Sequence, residues 1–258
     1  MARKPASKKG SGRKGSGGSG RGRTEKLKTA KRRKKSSVLW LKRQLGDPYV
    51  ASARDQGLRS RAAFKLMELD DRFGFLKPGR RIVDLGAAPG GWTMVAVERV
   101  NSQGANKGAG NGKQGKVVGM DIQEAPPISG ATLIHHDFLD EAAPGMLMEI
   151  LNGPADVVLT DMAASATGHA STDHLRIVGL LEAAFDFACD VLAPGGCFVG
   201  KVFKGGTEGE LLKAMKKRFK SVRHAKPPAS RKESAESYVI AQGFKGGSKD
   251  QAGEQAGG

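Results

Sequence analysis

The sequence predicts an α/β fold in which helices cover both faces of a mostly parallel sheet. Short segments rich in β-branched apolar residues alternate along the chain with longer segments of helical character. Apolar residues run through most of the short segments without alternating, as expected for strands that are buried on both faces of a parallel sheet. This alternation of strands and helices is typical of a doubly wound α/β sandwich.

Six segments are predicted to be strands and four to be helices. The predicted strands are Arg81–Leu85, Lys116–Asp121, Ala131–His135, Asp156–Thr160, Cys197–Phe203 and Ser237–Ala241. The predicted helices are Trp92–Val100, Glu141–Leu151, Thr172–Leu192 and Gly209–Phe219. We expect Pro194-Gly195-Gly196 to end the third helix, because proline and glycine do not continue a helix.

Composition divides the chain of 258 residues into a globular body and two tails. Residues 1–35 contain fifteen lysines and arginines and one acidic residue, Glu25. They offer almost nothing apolar to bury, so we expect a disordered basic tail. Residues 36–245 form the predicted domain, and the glycine-rich residues 246–258 a short flexible tail. Residues 101–115 are also glycine-rich, which predicts a surface-loop insertion within the domain.

Composition also excludes several classes of protein. We expect no transmembrane helix, because no run of about 18 apolar residues occurs. The basic N-terminus lacks the apolar segment of a secretory signal, so we expect no such signal. The two cysteines, Cys189 and Cys197, are too few for a disulfide framework or a zinc site made of cysteine alone. We therefore expect a reducing, cytoplasmic location.

A glycine-rich loop, Val83-Asp84-Leu85-Gly86-Ala87-Ala88-Pro89-Gly90-Gly91-Trp92, joins the first predicted strand to the first predicted helix. In an open α/β sheet this is where a nucleotide-like ligand lies, since glycine lets the backbone approach closely. Its spacing is not that of dinucleotide-binding loops, and no lysine follows to hold phosphates. The loop predicts a pocket for an adenosine-type ligand without a pyrophosphate; a plain tight turn is the alternative.

Two aspartates follow the next two strands. Asp121 ends the second strand, where an acidic residue can bind a ribose diol, and Asp137 follows the third, where it can meet an adenine amino group. Each alone is more often a helix cap or turn residue, but together with the loop they favour a cofactor site. The neighbouring pair His135-His136 has no cysteine or histidine partners at ligand spacing, so we expect no metal.

Lys201 lies inside the apolar strand Cys197–Phe203. A lysine in a buried strand is costly unless it is paired. Removing an amine from water favours its neutral form, which is the form that a general base needs. Asp161 follows the fourth strand, at the edge where open α/β sheets bind their ligands. The alternatives are an ammonium group that reaches solvent at residue 201 and a turn-capping carboxylate at residue 161.

Five motifs occur in a characteristic order. They are Arg59-Ser60-Arg61-Ala62-Ala63-Phe64-Lys65-Leu66, the loop that ends at Trp92, Thr160-Asp161-Met162-Ala163, the pair Leu192–Gly196 and Val199–Phe203, and Glu236-Ser237-Tyr238. Over about Ser36–Phe244 the sequence resembles the FtsJ-type ribosomal RNA ribose 2′-O-methyltransferases, and within them the bacterial uridine-2′-O-methyltransferases of large-subunit rRNA. It departs from their usual pattern at Ala164, which replaces a proline, and at Ala63, which replaces an aromatic residue.

The resemblance implies a Rossmann-like, S-adenosylmethionine-dependent methyltransferase fold, with a seven-stranded sheet whose last strand is antiparallel. It implies S-adenosylmethionine as the methyl donor. The implied catalytic residues are Lys65, Asp161, Lys201 and Glu236. The residues expected to bind the cofactor are Gly86, Gly90, Trp92, Asp121, Asp137 and Asp161.

The resemblance also implies a partner, which is large-subunit (23S) rRNA, modified at a uridine in the assembled large subunit during ribosome biogenesis. We expect a monomer whose basic tail contacts RNA phosphates, with Arg59 and Arg61 holding phosphates near the target. The alternatives are a tRNA or cap-ribose substrate and a non-catalytic ribosome-assembly protein. Methylation of a base amino group fits less well, because the segment after Asp161 has no aromatic residue to stack on the base. Carbon-5 methylation of a pyrimidine needs a nucleophilic cysteine, whereas Cys189 and Cys197 are expected to be inert core thiols.

Overall fold

The computed structural model describes residues 46–105, 112–163, 170–203 and 209–247. The chain divides into two compact units, Met1–Pro48 and Tyr49–Gly258, and of the first only residues 46–48 are described. Three predicted regions lie wholly or partly outside the described residues, so the domain boundaries stay predictions. These regions are the basic tail 1–35, residues 106–111 of the loop and residues 248–258 of the C-terminal tail.

The described residues form six α-helices and seven strands. The helices are α1 (Pro48–Asp55), α2 (Ala62–Phe73), α3 (Gly91–Arg99), α4 (Ala143–Leu151), α5 (Ala170–Val191) and α6 (Gly209–Arg218). The strands are β1 (Arg81–Leu85), β2 (Lys116–Asp121), β3 (Thr132–His135), β4 (Ala155–Thr160), β5 (Leu192–Phe203), β6 (Phe219–Ala225) and β7 (Glu236–Phe244). No described helix is both long and apolar enough to cross a membrane.

The seven strands form one sheet in the order β3-β2-β1-β4-β5-β7-β6. Strands β1 to β5 pair in parallel, whereas β7 pairs antiparallel with both β5 and β6. The predicted α/β class, the seven strands and the antiparallel last strand are confirmed. Because the order reverses between β1 and β4, their carboxyl ends open the crevice in which such sheets bind ligands.

Each central strand buries both of its faces, as the apolar runs predict. Val83 and Leu85 of β1 pack in the core against α4, α5 and α6, whereas Ile82 packs in the opposite core against α2 and α3. The same alternation holds in β5, where Phe198 joins the first core and Val199 the second. Since side chains alternate along a strand, a continuous apolar run is what two covered faces require.

Three described elements are missing from the prediction, and the segment expected to end the third helix lies in a strand. Strand β6 lies at the sheet edge and has the polar sequence FKSVRHA, without the apolar run of a buried strand. Helices α1 and α2 precede the first strand and were not predicted. Helix α5 ends at Val191 and β5 begins at Leu192, so Pro194-Gly195-Gly196 falls inside the irregular start of β5, where the register with β4 shifts.

A buried carboxyl joins β1 to α3. Asp84 is 1% exposed, and its Oδ2 accepts a hydrogen bond of 2.6 Å from Thr93 Oγ1. Burial raises the pKa of Asp84 to about 7; the hydrogen bond from Thr93 opposes this shift, and the carboxylates of Asp161 and Asp121 add to it. In the unfolded chain an aspartate has an ordinary pKa near 3.9. The folded state therefore binds one more proton between about pH 4 and pH 7 at this position.

We predict that Asp84→Asn changes the pH dependence of stability. Wild-type stability contains a contribution from protonated Asp84 that is lost as the pH rises from about 4 towards 7. Asparagine stays neutral, so the free energy of unfolding of the variant should rise relative to wild type over this range, by up to ~4 kcal/mol. Urea unfolding at pH 5, 6, 7 and 8 measures the difference.

Asp186→Asn is the matched control, because Asp186 is exposed on α5. The difference between Asp84→Asn and wild type should change with pH by more than the difference between this control and wild type. A change no larger than that of the control would show that Asp84 ionises in the folded protein as it does in water.

Candidate active site

Four ionisable side chains meet at the carboxyl ends of β4 and β5. Lys65 comes from α2, Asp161 directly follows β4, Lys201 lies in β5, and Glu236 begins β7. The fold therefore brings together residues that are up to 171 positions apart in the sequence. All four belong to the predicted catalytic set.

Strand periodicity explains why the three strand-borne residues share one face. Lys201 stands two residues after Val199, and Val199 packs in the core beneath α2 and α3. Asp161 stands two residues after Leu159 in the same way, and Glu236 two residues before Tyr238, and both of these partners belong to that core. Because successive side chains alternate between faces, all three reach the face that α2 covers with Lys65.

The four groups alternate in charge. Lys201 Nζ lies 3.1 Å from Asp161 Oδ1, and it donates a hydrogen bond of 2.6 Å to the main-chain oxygen of the same residue. Lys65 Nζ lies 3.7 Å from Asp161 Oδ2 and 2.8 Å from Glu236 Oε2. The side chains are only 8–19% exposed, so solvent screens these contacts far less than it screens surface ion pairs.

Tyr238 and Ser230 complete the cluster, although the sequence assigned them no role. Tyr238 donates its hydroxyl to Asp161 Oδ1 at 2.7 Å. Burial raises the pKa of Tyr238, and the carboxylates of Asp161 and Glu236 raise it further, so the phenol stays a neutral donor. Ser230 Oγ donates to Glu236 Oε1 at 2.7 Å. The position of Tyr238 in the Glu236-Ser237-Tyr238 motif was the available signal, whereas Ser230 lies in an irregular loop that has no pattern.

Glu236 is held in its ionised form. Burial alone would raise the pKa of Glu236, but the ammonium group of Lys65 and the hydrogen bonds from Lys65 and Ser230 outweigh burial and keep that pKa below its ordinary value. The charge of Glu236 therefore balances that of Lys65 at neutral pH. Asp161 can then interact with Lys201.

Side chains at the start of α2 and within it bind the main chain of the loop that carries Ser230. Arg61 donates to the main-chain oxygen of Ala229, and Glu68 Oε2 accepts from the nitrogen of Ala229 at 2.7 Å. Arg59 donates to three other main-chain oxygens, those of Pro89, Pro126 and Pro127. The structure thus gives both arginines main-chain carbonyl partners, and their expected contact with RNA phosphates stays a prediction.

A cavity of about 630 Å³ opens on the other side of Asp161. It lies at the carboxyl ends of β1, β2, β3 and β4, next to α5. Its volume is within the range of sites for nucleoside-sized ligands. The lining residues are Gly86, Ala88, Met120, Asp121, Ile122, Gln123, His136, Asp137, Phe138, Leu139, Asp161, Met162, Ala163, Arg176, Gly179, Leu180 and Ala183.

The glycine-rich loop and Asp121 form one wall of this cavity. Asp121 Oδ2 accepts a hydrogen bond of 2.8 Å from the nitrogen of Ala88, and Oδ1 accepts one of 2.8 Å from the nitrogen of Gln123. Gly86 has a positive φ of 74°, and a Cβ there would lie 2.1 Å from Cγ of Met162. Glycine is therefore required at residue 86, because the backbone has a positive φ and Met162 fills the space of a side chain.

Four of the six residues predicted to bind a cofactor line the cavity: Gly86, Asp121, Asp137 and Asp161. Gly90 and Trp92 are not among its lining residues. Trp92 is 3% exposed, donates Nε1 to the main-chain oxygen of Ala62 at 2.8 Å and packs 5.7 Å from the ring of Tyr238. Its side chain thus joins α3 to α2 and β7. Gly90 caps α3 with a φ of 107°.

His135 and His136 contact nearby groups of the chain, and both cysteine thiols are shielded from solvent to a large extent. His135 Nε2 lies 2.9 Å from the main-chain oxygen of Ile122, and His136 Nε2 lies 3.3 Å from Asp140 Oδ2. No described group of three or more metal-binding side chains is close enough to hold a metal ion. Burial raises the pKa of both thiols, Cys189 and Cys197, which disfavours the nucleophilic thiolate that carbon methylation of a pyrimidine needs.

Sequence comparisons show which family of proteins the chain resembles. The sequence model of the FtsJ-like methyltransferase family matches residues 58–244. The chain is 64% identical over 224 residues to ribosomal RNA large subunit methyltransferase E of Paramagnetospirillum magneticum, a match that covers 87% of this chain and 89% of that protein. It is 63% identical over 221 residues to the protein of the same name from Rhodospirillum rubrum, over 86% of this chain and 81% of that protein.

A solved structure has a similar fold. The crystal structure of a protein described as a ribosomal RNA methyltransferase, from Plasmodium falciparum, superimposes with a TM-score of 0.63 at 28% sequence identity. The superposition covers 73% of this chain and 100% of that one. With the family model spanning most of the described residues, these matches confirm the resemblance drawn from the motifs. The chain belongs to the FtsJ-like methyltransferase family.

Proposed function

We propose that this methyltransferase transfers a methyl group from S-adenosylmethionine to the ribose 2′-hydroxyl of a uridine in large-subunit (23S) rRNA, in the assembled large ribosomal subunit. The names of its relatives support the rRNA substrate. The charged cluster supports hydroxyl chemistry, because a ribose hydroxyl is a poor nucleophile until its proton is removed. We further propose that it works as a monomer in the cytoplasm, where its free cysteines would stay reduced.

The position of Asp161 is the single observation that carries the proposal. Asp161 lines the cavity of about 630 Å³ and also contacts both lysines of the cluster. A donor in the cavity and a hydroxyl at the cluster would therefore meet across one carboxylate. Holding two reactants next to each other supplies a large part of the rate in such sites.

The residues of the cavity fit S-adenosylmethionine. Asp121 is placed to bind a ribose diol, and the backbone of Gly86 and Ala88 is accessible from the cavity. Asp137 also lines the cavity, where its carboxylate can accept from an adenine amino group. The exposed side chains of Ile122 and Leu139 offer apolar cover for a base. When bound, the cofactor supplies an electrophilic methyl group on a positively charged sulfur.

The charged cluster accepts the proton that the 2′-hydroxyl loses. Lys201 begins as the cation that pairs with Asp161, so it must first release a proton to solvent. Its amine then takes the proton of the 2′-hydroxyl as the oxygen attacks. Asp161 orients Lys201 through two contacts, one to its side chain and one to its main chain. Lys65 and Glu236 position the ribose and balance the charge, and Tyr238 holds Asp161 in place. No step requires a metal ion or a thiol.

We predict that Lys201→Ala lowers the rate of methylation by about 10²–10⁴-fold, the usual contribution of a general base. Cofactor affinity should change little, because Lys201 is not among the residues that line the cavity. Transfer of labelled methyl groups to large subunits that lack the modification measures the rate, and calorimetry measures cofactor affinity. Mapping of 2′-O-methyl groups on the product rRNA identifies the nucleotide.

Lys213→Ala is the control, since Lys213 is exposed on α6 and pairs there with Glu210, away from the cluster. Wild-type turnover by Lys201→Ala would remove Lys201 from the mechanism. Methylation of tRNA but not of large subunits would show that the substrate is tRNA and not rRNA. Absence of any methyl transfer by the wild-type protein would favour a non-catalytic assembly role.

A second prediction concerns the cofactor. Asp121→Asn removes the charge that a ribose diol would contact but keeps an oxygen for the nitrogen of Ala88. Hydrogen bonds to charged groups contribute about 1.5–3 kcal/mol, so the Kd for S-adenosylmethionine should rise roughly 10- to 150-fold. The value of kcat at saturating cofactor should change by less than about threefold, since no step of the proposed proton transfer uses Asp121.

Glu124→Gln controls for loss of a nearby negative charge. Glu124 is close in sequence and strongly exposed, and its contact is His135 at 3.7 Å. The Kd of this control should match that of wild type. If Asp121→Asn bound the cofactor as tightly as wild type, the cofactor would have to occupy another part of the molecule.

A further inference from the structure

The free edge of the sheet carries an unusual concentration of positive charge. Residues 209–247 contain ten lysines and arginines and three acidic residues, whereas the rest of residues 36–258 contain eighteen and twenty-two. Two of the three acidic residues are paired, Glu210 with Lys213 and Glu236 with Lys65. The positive charge of the globular body is therefore concentrated in α6, β6 and the segments that follow them.

Four of these cations form a surface that we call the basic edge. Lys216 and Lys217 lie in the last turn of α6, which leads directly into β6, and Lys220 and Arg223 lie on β6 itself. All four are exposed. None of their side chains forms a hydrogen bond or ion pair with another described residue, unlike Lys226 and Lys245, which bind main-chain oxygens. Like charges held together without partners repel each other, so their presence favours binding of an anion.

Local structural roles account for only part of this charge. Cations near a helix carboxyl end interact favourably with the helix dipole, which suits Lys216 and Lys217. Lysines on an edge strand also prevent pairing with another sheet, which is a second role open to Lys220. Neither effect requires cations on both the helix and the strand, nor on both sides of the strand. A polyanion that contacts the whole edge requires all of them.

Strand pairing connects the basic edge to the catalytic cluster. Ala225, the last residue of β6, lies opposite Tyr238, whose hydroxyl binds Asp161. Arg223 lies opposite Ile240, and Lys220 is five residues from Ala225. At about 3.3 Å per residue, the cations extend roughly 17 Å away from the cluster. A chain of phosphates that leaves the cluster can follow this line.

The basic edge offers positive charge, but the aromatic rings next to it are buried and cannot stack on RNA bases. Its two phenylalanines, Phe219 and Phe244, are 2% and 3% exposed, so their rings are not accessible to bases. Single-stranded RNA is usually held by exposed aromatic side chains as well as by cations, whereas helical RNA is held mainly through its backbone. Resting on the proposed rRNA substrate, we propose that the basic edge binds the phosphate backbone of a helical rRNA segment that flanks the target nucleotide.

The test compares two full-length triple variants with the same change in charge. One neutralises the edge (Lys217→Gln, Lys220→Gln and Arg223→Gln). The control neutralises three exposed lysines near the amino ends of β1 and β2 (Lys77→Gln, Lys113→Gln and Lys116→Gln). Binding to large subunits and to protein-free 23S rRNA is measured between about 50 and 200 mM salt, and methylation is measured at saturating subunit.

We expect the edge variant to bind both RNAs at least ~10-fold more weakly. The slope of log K against log salt should fall in magnitude by about 2–3, because each phosphate that is no longer neutralised lowers it by one unit or slightly less. The value of kcat should stay within about twofold of wild type, because none of the three residues belongs to the cluster. Equal weakening in the control variant would overturn the proposal, since the effect would then come from net charge.

Two other outcomes would also overturn it. Weaker binding to subunits but unchanged binding to protein-free rRNA would identify an acidic protein as the partner. Self-association of the edge variant with unchanged RNA affinity would identify edge protection as the role of the lysines. These binding measurements do not depend on methyl transfer, so a failure of the proposed reaction and a failure of the proposed surface give different results.

Chemical footprinting provides a measurement that needs no variant. Acylation of lysine amines in the wild-type protein, read by mass spectrometry, should be suppressed at Lys216, Lys217 and Lys220 when the subunit is bound. It should be unchanged at Lys77 and Lys116. Equal acylation of the edge lysines in the free and bound protein would contradict the proposal.

Discussion

The contacts between Asp161 and the two lysines are the interaction on which the rest of the site depends. A single carboxylate lies 3.1 Å from Lys201 Nζ and 3.7 Å from Lys65 Nζ, and the same residue lines the cavity beside β1 and β2. Buried charges are unfavourable unless they are paired. Alternation of charge along Lys201, Asp161, Lys65 and Glu236 satisfies that requirement, and Tyr238 and Ser230 provide the remaining hydrogen bonds.

The fold supports this cluster through strand periodicity. Both faces of the central strands are covered, so these strands have continuous apolar runs that are visible in the sequence. Those runs predict the α/β class, and the class predicts that the site lies at the carboxyl ends of the strands. The polar edge strand β6 could not be found in this way, because its sequence FKSVRHA contains no apolar run. Helix α2 was also missed, although it contributes Lys65, because its segment stood out only as a motif.

The residues of the site were predicted on different grounds. Lys201 and Asp161 stood out on physical grounds, one as a charge in an apolar strand and the other at a strand end, whereas Lys65 and Glu236 were identified only through family resemblance. Ser230 depends on a loop whose position is set by Ala229, and no sequence pattern reveals such contacts. The contacts of Arg59 and Arg61 with main-chain carbonyls were not predicted either, because neither the type nor the spacing of these residues indicates them.

A crystal structure with S-adenosylhomocysteine and an RNA segment that contains the target nucleotide tests the mechanism most directly. The mechanism requires the nucleoside of the cofactor to occupy the cavity lined by Asp121 and the 2′-oxygen of the target ribose to lie within about 3 Å of Lys201 Nζ, at hydrogen-bond distance. A 2′-oxygen that faces another side chain, or a cofactor bound away from Asp161, would contradict it.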